Sequence, residues 1–351
     1  MTDFELGSAE ITPTDAVAAG SNRTIVFTYT AGHPIDDSGY VKIAFQQVCD
    51  FGEPQFDDPT APNYCTVSTT GDCRIFPRYD PKGNLRPWSK ALYLQIRFGY
   101  LDEGDQIRVV FGDQTGGSPG WRVQSFCEQR FVFRTFVDPI ATYSFKELPS
   151  SPWFEIVAGA PVRAVCIAPA QVTVAQPFRY HLKLEDLWGN PIAEPRPIEH
   201  PGFETADIKV MTATDPDTGL SAQSNPVEVV ADATGPGRFW ADFHGQSEET
   251  IGTNPIEHYF RFGRDFALLD ILGHQGNDFQ VTDMFWKKIN RLADETCVPG
   301  RFVTFPGYEW SANTPLGGDR NVYFNGPGGK ITRSSCELLP GRESRFPDSP
   351  T

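Results

Sequence analysis

The sequence has 351 residues, and its 30 Lys and Arg against 45 Asp and Glu give a formal net charge of −15 at pH 7. At roughly 150 residues per domain, this length predicts two or three domains, each large enough to bury a core. Because so negative a chain repels phosphate backbones and anionic lipid, we expect neither nucleic-acid binding nor membrane binding.

The first residues, MTDFELGSAEITPTD, lack the basic and apolar regions of a secretory signal. No run in the sequence approaches the roughly 20 apolar residues that span a bilayer. We therefore expect a cytoplasmic protein without a transmembrane segment, although export stays open as an alternative.

Residues 1–157 alternate β-prone runs with turn clusters, in a chain that is rich in Gly (32), Pro (30) and Phe (27). This spacing predicts an all-β sandwich domain. The stretch 50–90 is rich in Pro, Gly, Asp and Thr, and it is predicted to be a long surface excursion. The predicted strands are TIVFTYT (24–30), YVKIAFQQV (40–48), ALYLQIRFGYL (91–101), DQIRVVFGD (105–113) and QRFVFRTFV (129–137).

The seven cysteines contain no C-x-x-C pair, so a zinc knuckle is not indicated. We interpret them as small buried hydrophobic residues with mostly reduced thiols. A disulfide between Cys65 and Cys73 is the alternative if the protein is exported.

A second β series follows a Pro- and Ser-rich break and predicts an immunoglobulin-like module over residues 158–237. Within it, the segment DLWGNP (186–191) is a turn signal, because Gly and Asn tolerate positive φ. We interpret this segment as a plain hairpin loop, with calcium binding through Asp186 and Asn190 as the alternative.

From residue 238 to 351 the pattern changes to strand-like runs that alternate with helix-like segments, which is typical of β/α units. GRFWADFH (237–244) is predicted to be a strand, followed by a helix that Asn254 caps and that extends to about Asp265. FALLDILGH (266–274) then predicts a buried strand.

A second helix is predicted to begin after Thr282, which suits an N-cap position. Its apolar positions, spaced i, i+4 and i+7, are Phe285, Ile289 and Leu292. Two further strands are predicted at RFVTFPGYEW (301–310) and NVYF (321–324).

Polar residues occupy three successive predicted strand ends in this last segment. In a parallel β/α array, the carboxyl ends of the strands meet at one face. Imidazole and carboxylate groups at such a face hold divalent metals. Each residue taken alone fits a structural role, but the common phase of His244, His274 and Glu309 favours a shared metal site. Their neighbours Gln246, Asn277 and Asp278 are further candidates for ligands or supporting groups.

Two long stretches, residues 239–282 and 305–324, resemble the DUF3604 family. The members of that family resemble distant relatives of the PHP (polymerase and histidinol phosphatase) metal-dependent hydrolases. The resemblance covers about residues 238–335, where several motifs occur in order. The segments GDQTGGSPGWRVQSF (112–126) and EDLWGNP (185–191) extend a weaker resemblance into the β modules.

The resemblance implies a distorted β/α barrel with two or three metal ions, in which metal-bound water attacks a phosphoester. The expected fold class is therefore multi-domain β plus α/β. It consists of the amino-terminal β-sandwich, the immunoglobulin-like module, and the first half of a PHP-like barrel over residues 238–351.

Two motifs of the resembling proteins match with substitutions. Their D-x-H-x-H motif corresponds to Asp242, His244 and Gln246, so that an amide replaces the second histidine. Their T-D-H strand end corresponds to GHQGND, where Asn277 or the displaced His274 is the counterpart.

Two further matches lie near the end of the segment. Glu309 corresponds to the glutamate after the third strand. The G-H-R-N-V motif corresponds to residues 318–322, with Asp319 at the histidine position and Arg320 at the arginine position. Amide and carboxylate ligands favour the harder ions Mn²⁺ or Mg²⁺ over Zn²⁺ or Fe, and the identity of the metal stays open.

The resemblance also implies more strands and more His and Asp ligands than this chain provides. Four strands of an open barrel leave an unpaired edge and exposed apolar surface. We therefore predict a second polypeptide that completes the barrel and its metal site.

Our first functional hypothesis is a metal-dependent hydrolase that acts on an anionic small molecule. In this hypothesis Arg320 clamps the substrate, and Asp242 and Asp319 assist catalysis. The expected metal ligands and their neighbours are His244, Gln246, His274, Asn277, Asp278 and Glu309. The alternatives are a non-catalytic β-sandwich binding protein with a degenerate PHP-like segment, or a purely structural assembly subunit.

Overall fold

The computed structural model describes residues 6–312 and 317–334. The chain divides into two compact units, residues 1–159 and 160–351. The described residues form mostly β-strands in many small sheets, with only two short α-helices. The prediction of a β-rich protein is confirmed, whereas the predicted fold class of β plus α/β is wrong.

The first unit contains two larger sheets, with strand orders β1-β4-β9-β6 and β13-β12-β5-β8-β7, and two smaller ones, β11-β14-β2 and β10-β3. Its strands are β1 (Gly7–Thr12), β2 (Val17–Ala18), β3 (Asn22–Arg23), β4 (Ile25–Ala31), β5 (Tyr40–Phe45), β6 (Cys65–Thr69), β7 (Arg74–Asp80), β8 (Lys90–Arg97), β9 (Gln106–Phe111), β10 (Trp121–Arg122), β11 (Glu128–Val132), β12 (Arg134–Asp138), β13 (Lys146–Glu147) and β14 (Trp153–Val157).

The sheets of this unit share one hydrophobic core. Alternate residues of β4 (Ile25, Phe27 and Tyr29) are completely buried, as the period of two in a strand requires. Trp121 lies in the same core, where its indole nitrogen donates a hydrogen bond to the backbone oxygen of Gly52 (2.7 Å).

The predicted surface excursion over residues 50–90 is wrong in part, because it contains strands β6 and β7. Pro77 lies in the middle of β7 and obscures the strand pattern. The structure tolerates this proline because β7 is the edge strand of its sheet, where a missing N–H leaves no ladder bond unmade. Cys65 and Cys73 are both free thiols.

The second unit begins with eight short strands. They form the sheets β15-β17-β18 and β16-β22-β19 and the hairpin β20-β21. Their bounds are β15 (Arg163–Ile167), β16 (Gln171–Thr173), β17 (Phe178–Glu185), β18 (Arg196–His200), β19 (Asp207–Lys209), β20 (Thr212–Thr214), β21 (Ser221–Gln223) and β22 (Val227–Val230).

The side chain of Asp186 stabilises the loop after β17. One carboxylate oxygen of Asp186 accepts bonds from the backbone N–H groups of Trp188 and Asn190, and the other accepts from the Asn190 amide, all at 2.9 Å. These bonds make the hairpin loop that the turn signal predicted.

The rest of the second unit holds the two α-helices of the described chain. The elements are β23 (Ala241–Gly245), α1 (Ile256–Arg261), a π-helical turn (Phe262–Phe266), β24 (Ile271–His274), α2 (Asp283–Thr296), β25 (Val303–Phe305), β26 (Gly307–Trp310) and β27 (Arg320–Tyr323). Strands β23, β24 and β25 form a parallel sheet, and β26 forms an antiparallel hairpin with β27. The helices and the hairpin share one core.

The predicted first half of a PHP-like β/α barrel is therefore wrong for the described residues. RFVTFPGYEW was predicted to be one strand, but Pro306 lacks a backbone N–H and divides it into β25 and β26, which belong to different sheets. Because β26 turns away into a hairpin, the parallel sheet stops at three short strands. The end of the predicted 238–351 domain, from residue 335 onward, lies outside the described residues.

The two helix predictions have different outcomes. Helix α2 begins after Thr282 as predicted, and the Thr282 side chain accepts a hydrogen bond from the backbone N–H of Phe285. The predicted cap of α1 is wrong, because Asn254 has a φ of +60° and α1 begins after Pro255 without a side-chain cap. No helix in residues 6–312 and 317–334 is long and apolar enough to cross a membrane.

Candidate functional site

The ends of β23, β24, β26 and β27 meet in one polar cluster. The loop after β24 pairs with β26 through a parallel bridge between Asn277 and Glu309. Glu309 donates its backbone N–H to Gly276 (2.9 Å) and accepts from the N–H of Asp278 (2.8 Å). This pairing brings the hairpin against the carboxyl end of the parallel sheet, which places Glu309 beside His244.

His244 is held in a defined orientation at the rim of the cluster. Its Nδ1 lies 2.9 Å from the side-chain oxygen of Asn321, the cross-strand partner of Glu309. Its Nε2 lies 4.0 Å from Glu309 Oε2. With an acceptor oxygen against Nδ1, a neutral imidazole carries its proton on Nδ1 and its lone pair on Nε2, whereas a protonated ring forms an ion pair with Glu309.

Glu309 is buried although it is ionisable, with a relative exposure of 7%. Its Oε2 accepts a hydrogen bond from the Asn277 amide nitrogen (2.8 Å). Burial raises the pKa of Glu309, and the nearby carboxylates Asp319 and Asp278 raise it further, while His244 opposes that shift. The site therefore concentrates negative charge that a cation would relieve.

Gln246 takes the place of the second histidine of the D-x-H-x-H motif. Its side-chain oxygen accepts from the Thr250 hydroxyl (2.6 Å), and its nitrogen faces Asn277 (3.3 Å) and Glu309 (3.5 Å). Gln246 thus presents an N–H donor to the cluster and supports Glu309 without offering a lone pair.

Asp242, Asp319 and Arg320 are exposed around the cluster. One oxygen of Asp242 accepts from the backbone N–H of His244 (2.9 Å) and so fixes the end of β23. The guanidinium of Arg320 lies 5.5 Å from the ring centroid of Trp310 and is open to solvent.

His274 and Asp278 lie outside the cluster, in buried hydrogen bonds. The His274 ring is fully buried, its Nε2 lies 2.9 Å from the Ser247 hydroxyl, and burial lowers its pKa to about 3. The carboxylate of Asp278 accepts bonds from Ser311 and Ser334, and burial raises its pKa. Both side chains brace loops through these bonds.

Sequence reasoning missed Asn321 and Ser311. Asn321 orients the histidine ring, and Ser311 accepts the second N–H of Asn277 (2.8 Å). The signal for Asn321 was present in the matched motif, directly after Arg320. Ser311 had no such signal, because its role depends on the pairing of β26 with the loop that carries Asn277.

The donor set fits a divalent cation in part. Two ligands about 2.1 Å from one Zn²⁺ lie about 3.4 Å apart in tetrahedral geometry, close to the 4.0 Å between His244 Nε2 and Glu309 Oε2. Within the described residues, no group of three His, Cys, Asp or Glu side chains is arranged to hold a metal. The His244–Glu309 pair alone is thus smaller than the three-ligand set that a catalytic zinc site uses.

Exposed aromatic residues border the cluster. Phe243 and Tyr323 make an edge-to-face contact with ring centroids 5.6 Å apart, and both rings lie close to Gly273 of β24. Phe239 and Trp240, before β23, are 64% and 44% exposed. These two residues lie at the opposite end of β23, where the backbone of Trp240 bonds to Asp270, so the rings beside the cluster are those of Phe243 and Tyr323.

Comparisons with known proteins agree with the family resemblance over part of the chain. Residues 245–336 match the family described as "Protein of unknown function (DUF3604)". An uncharacterised protein of Chlamydia pneumoniae is 23% identical over 256 residues, an alignment that covers 63% of this chain and 41% of the relative. The chain thus spans less than half the length of that relative.

Among solved structures, domains 4–9 of the surface layer protein SbsC match 70% of this chain and 34% of their own length. The identity is 11% and the TM-score is 0.14, which is too low to indicate a common fold.

Proposed function

We propose that residues 241–323 form one wall of a divalent-cation site in a metal-dependent hydrolase that acts on anionic phosphoester-like substrates. The observation that carries this proposal is the His244–Glu309 pair, in which the imidazole Nε2 lies 4.0 Å from a buried carboxylate oxygen and Nδ1 lies against the Asn321 side-chain oxygen. A neutral imidazole nitrogen and a carboxylate oxygen at this separation can both bind one divalent cation.

The proposed reaction is the metal-assisted hydrolysis that the PHP resemblance implies, although the described residues do not form the barrel of those proteins. A bound divalent cation lowers the pKa of its water and neutralises charge that develops on the substrate. His244 and Glu309 would hold the cation, which is Mn, Zn, Fe or Mg. Asn321 and Asn277 would keep their donor atoms oriented, as hydrogen-bond partners of metal ligands do.

The remaining residues have supporting roles in this proposal. Arg320 offers an exposed guanidinium to an anionic substrate, because no carboxylate of the described chain pairs with it and it lies over Trp310. Asp242 positions the backbone of His244, and Asp319 adds negative charge beside Glu309.

We further propose that a second polypeptide completes this site. The described residues supply two ligands where a catalytic metal takes three or more protein ligands. The exposed rings of Phe243 and Tyr323 lie beside the same site, and burial by a partner would remove them from water.

Metal binding tests the proposal directly. Equilibrium dialysis of the full chain against Mn²⁺ or Zn²⁺, followed by elemental analysis, should show a bound ion that His244→Ala or Glu309→Gln weakens at least roughly tenfold, one ligand being worth that much or more. His258→Ala and Glu295→Gln, which remove the same residue types from α1 and α2, should leave binding unchanged. Equal metal content in all variants would contradict the proposal.

The alternative function is a non-catalytic binding or assembly subunit. The presence of only two converging ligands in the described residues favours it. Hydrolysis of p-nitrophenyl phosphate separates the two functions when it is measured on protein purified with any co-purifying polypeptide. Metal binding without hydrolysis would support the binding role, whereas metal-dependent turnover that His244→Ala abolishes would support the hydrolase.

A further inference from the structure

The outward face of β7 and β8 carries two arginines that are not neutralised. Arg74 and Arg97 are direct cross-strand partners. Like charges opposite each other destabilise a sheet. In the described part of the chain neither guanidinium pairs with a carboxylate. Instead, Arg74 lies 6.0 Å from the ring centroid of Phe98, and Arg97 lies 5.6 Å from that of Phe76.

The two phenylalanines belong to the same surface. Their ring centroids are 5.9 Å apart, and Phe76 and Phe98 are 41% and 72% exposed. Phe98 has a φ of +59°, an outlier for a bulky residue, and its N–H donates to Asp37 (2.8 Å). Backbone strain of this kind persists where the surroundings impose it, and it concentrates at binding sites.

An open cavity lies beside these residues. Its volume is about 400 Å³, and it is lined by Asp72, Cys73, Arg74 and Phe98. The cavity therefore combines a cation, an apolar ring and a carboxylate acceptor within one small volume.

We propose that the Arg74, Phe76, Arg97 and Phe98 surface binds an oligosaccharide that carries carboxylate groups. Guanidinium groups bind carboxylates through paired hydrogen bonds. The exposed rings offer apolar faces to the C–H faces of sugar rings, and Asp72 offers oxygens that accept bonds from sugar hydroxyls. This ligand class uses all three kinds of group that the surface presents.

Two other partner classes fit the surface less well. A nucleic acid is bound through a row of cations along its phosphates, whereas this surface presents two arginines, Arg74 and Arg97, that pair with no carboxylate of the described chain. A peptide strand added to the edge strand β7 would meet Pro77, which has no N–H to donate.

Isothermal titration of the full chain with oligogalacturonate tests the proposal. We expect saturable binding that Arg74→Ala and Arg97→Ala each weaken roughly tenfold, as expected for loss of a hydrogen bond to a charged group. Phe98→Ala should also weaken binding. The matched control is Arg130→Ala, which removes an exposed arginine that lies 5.2 Å from the ring centroid of Trp153 in the same unit. This control should bind like the wild type.

Several outcomes would overturn the proposal. They are the absence of saturable binding, equal binding by Arg97→Ala, and equally tight binding of neutral cellohexaose. Equal competition by hexaglutamate or by an oligothymidylate would show that the surface reads charge alone, and would likewise overturn it. Arg97→Gln, which retains a polar side chain, repeats the test if circular dichroism shows that an alanine variant is unfolded.

Discussion

Burial makes His274 a determinant of acid stability. Its pKa of about 3 lies below the model-peptide value of 6.5 because the charged ring would be desolvated. Between these two pH values the unfolded chain binds a proton that the folded protein does not. Stability is therefore complete above pH 6.5 and is lost as the pH falls, by up to about 1.4 kcal/mol per pH unit.

This linkage gives a prediction for His274→Asn. The variant should be less stable than the wild type at pH 7, because the ring loses its contacts with Ser247, Tyr259 and Phe285. The difference should narrow at pH 4.5, where the wild type bears the cost of keeping the ring neutral. Urea denaturation at both pH values measures it, and an equal difference at both would contradict the prediction.

The pKa of Lys42, in the first unit, is also lowered by burial, but it affects stability at higher pH. Burial lowers its pKa from 10.5 to about 8, and its Nζ lies 3.7 Å from the ring centroid of Phe145. Between pH 8 and 10.5 the unfolded chain holds a proton that the folded protein has released. The contribution of Lys42 to stability therefore rises with pH in this window.

We predict that Lys42→Met abolishes this rise. Relative to the variant, the wild type should gain about 2 kcal/mol in the free energy of unfolding between pH 8 and pH 10. Chemical denaturation at the two pH values measures the free energy of unfolding of each protein. Taking the difference between wild type and variant cancels the contribution of the tyrosines and cysteines that titrate in both. A constant difference would show that Lys42 does not titrate in this range.

At the candidate site, the sequence predicted which polar side chains lie near strand ends. It did not predict which of them are already engaged in buried hydrogen bonds. The common phase of His244 and Glu309 was sufficient to place them together, and the structure brings them within 4.0 Å. His274 has the same phase, yet the turn after β23 returns Ser247 to its Nε2. That contact depends on the path of a loop, which a residue pattern does not specify.

At the scale of elements, capping is the feature of α2 that sequence reasoning captured in full. Thr282 ends an extended segment and accepts from the N–H of Phe285, as an N-cap does. We expect Thr282→Ala to lower the free energy of unfolding by about 1 kcal/mol. Thermal denaturation measures it, with Thr296→Ala at the other end of α2 as the control. Equal losses in the two variants would show that the cap does not contribute.

The element predictions that failed did so where backbone geometry overrode composition. FALLDILGH was predicted to be one strand, but its start belongs to the π-helical turn, and only Ile271–His274 is β24. Asn254 adopts a positive φ and cannot cap. Pro306 divides a predicted strand, while Pro77 sits within an edge strand. Whether a proline ends a strand or is tolerated within it thus depends on how the neighbouring strands pair. The local sequence does not reveal that pairing.

At the scale of the whole molecule, the two units bury separate hydrophobic cores. Ile43 is completely buried in the core of residues 11–156, and Ile289 is completely buried in the core that contains α2. The sequence predicted Ile289 as an apolar position of a helix and placed Ile43 within a β-strand. Both residues are completely buried isoleucines, so substitution by alanine removes the same atoms at either position.

This matched pair gives a final prediction. Ile43→Ala and Ile289→Ala should each cost about 2 to 5 kcal/mol, because each leaves a cavity in a packed core. Hydrogen exchange read by mass spectrometry should show faster exchange in peptides from residues 1–159 for Ile43→Ala, and in peptides from residues 160–351 for Ile289→Ala. Faster exchange in α2 caused by Ile43→Ala would contradict this result and show that the two cores unfold as one cooperative body.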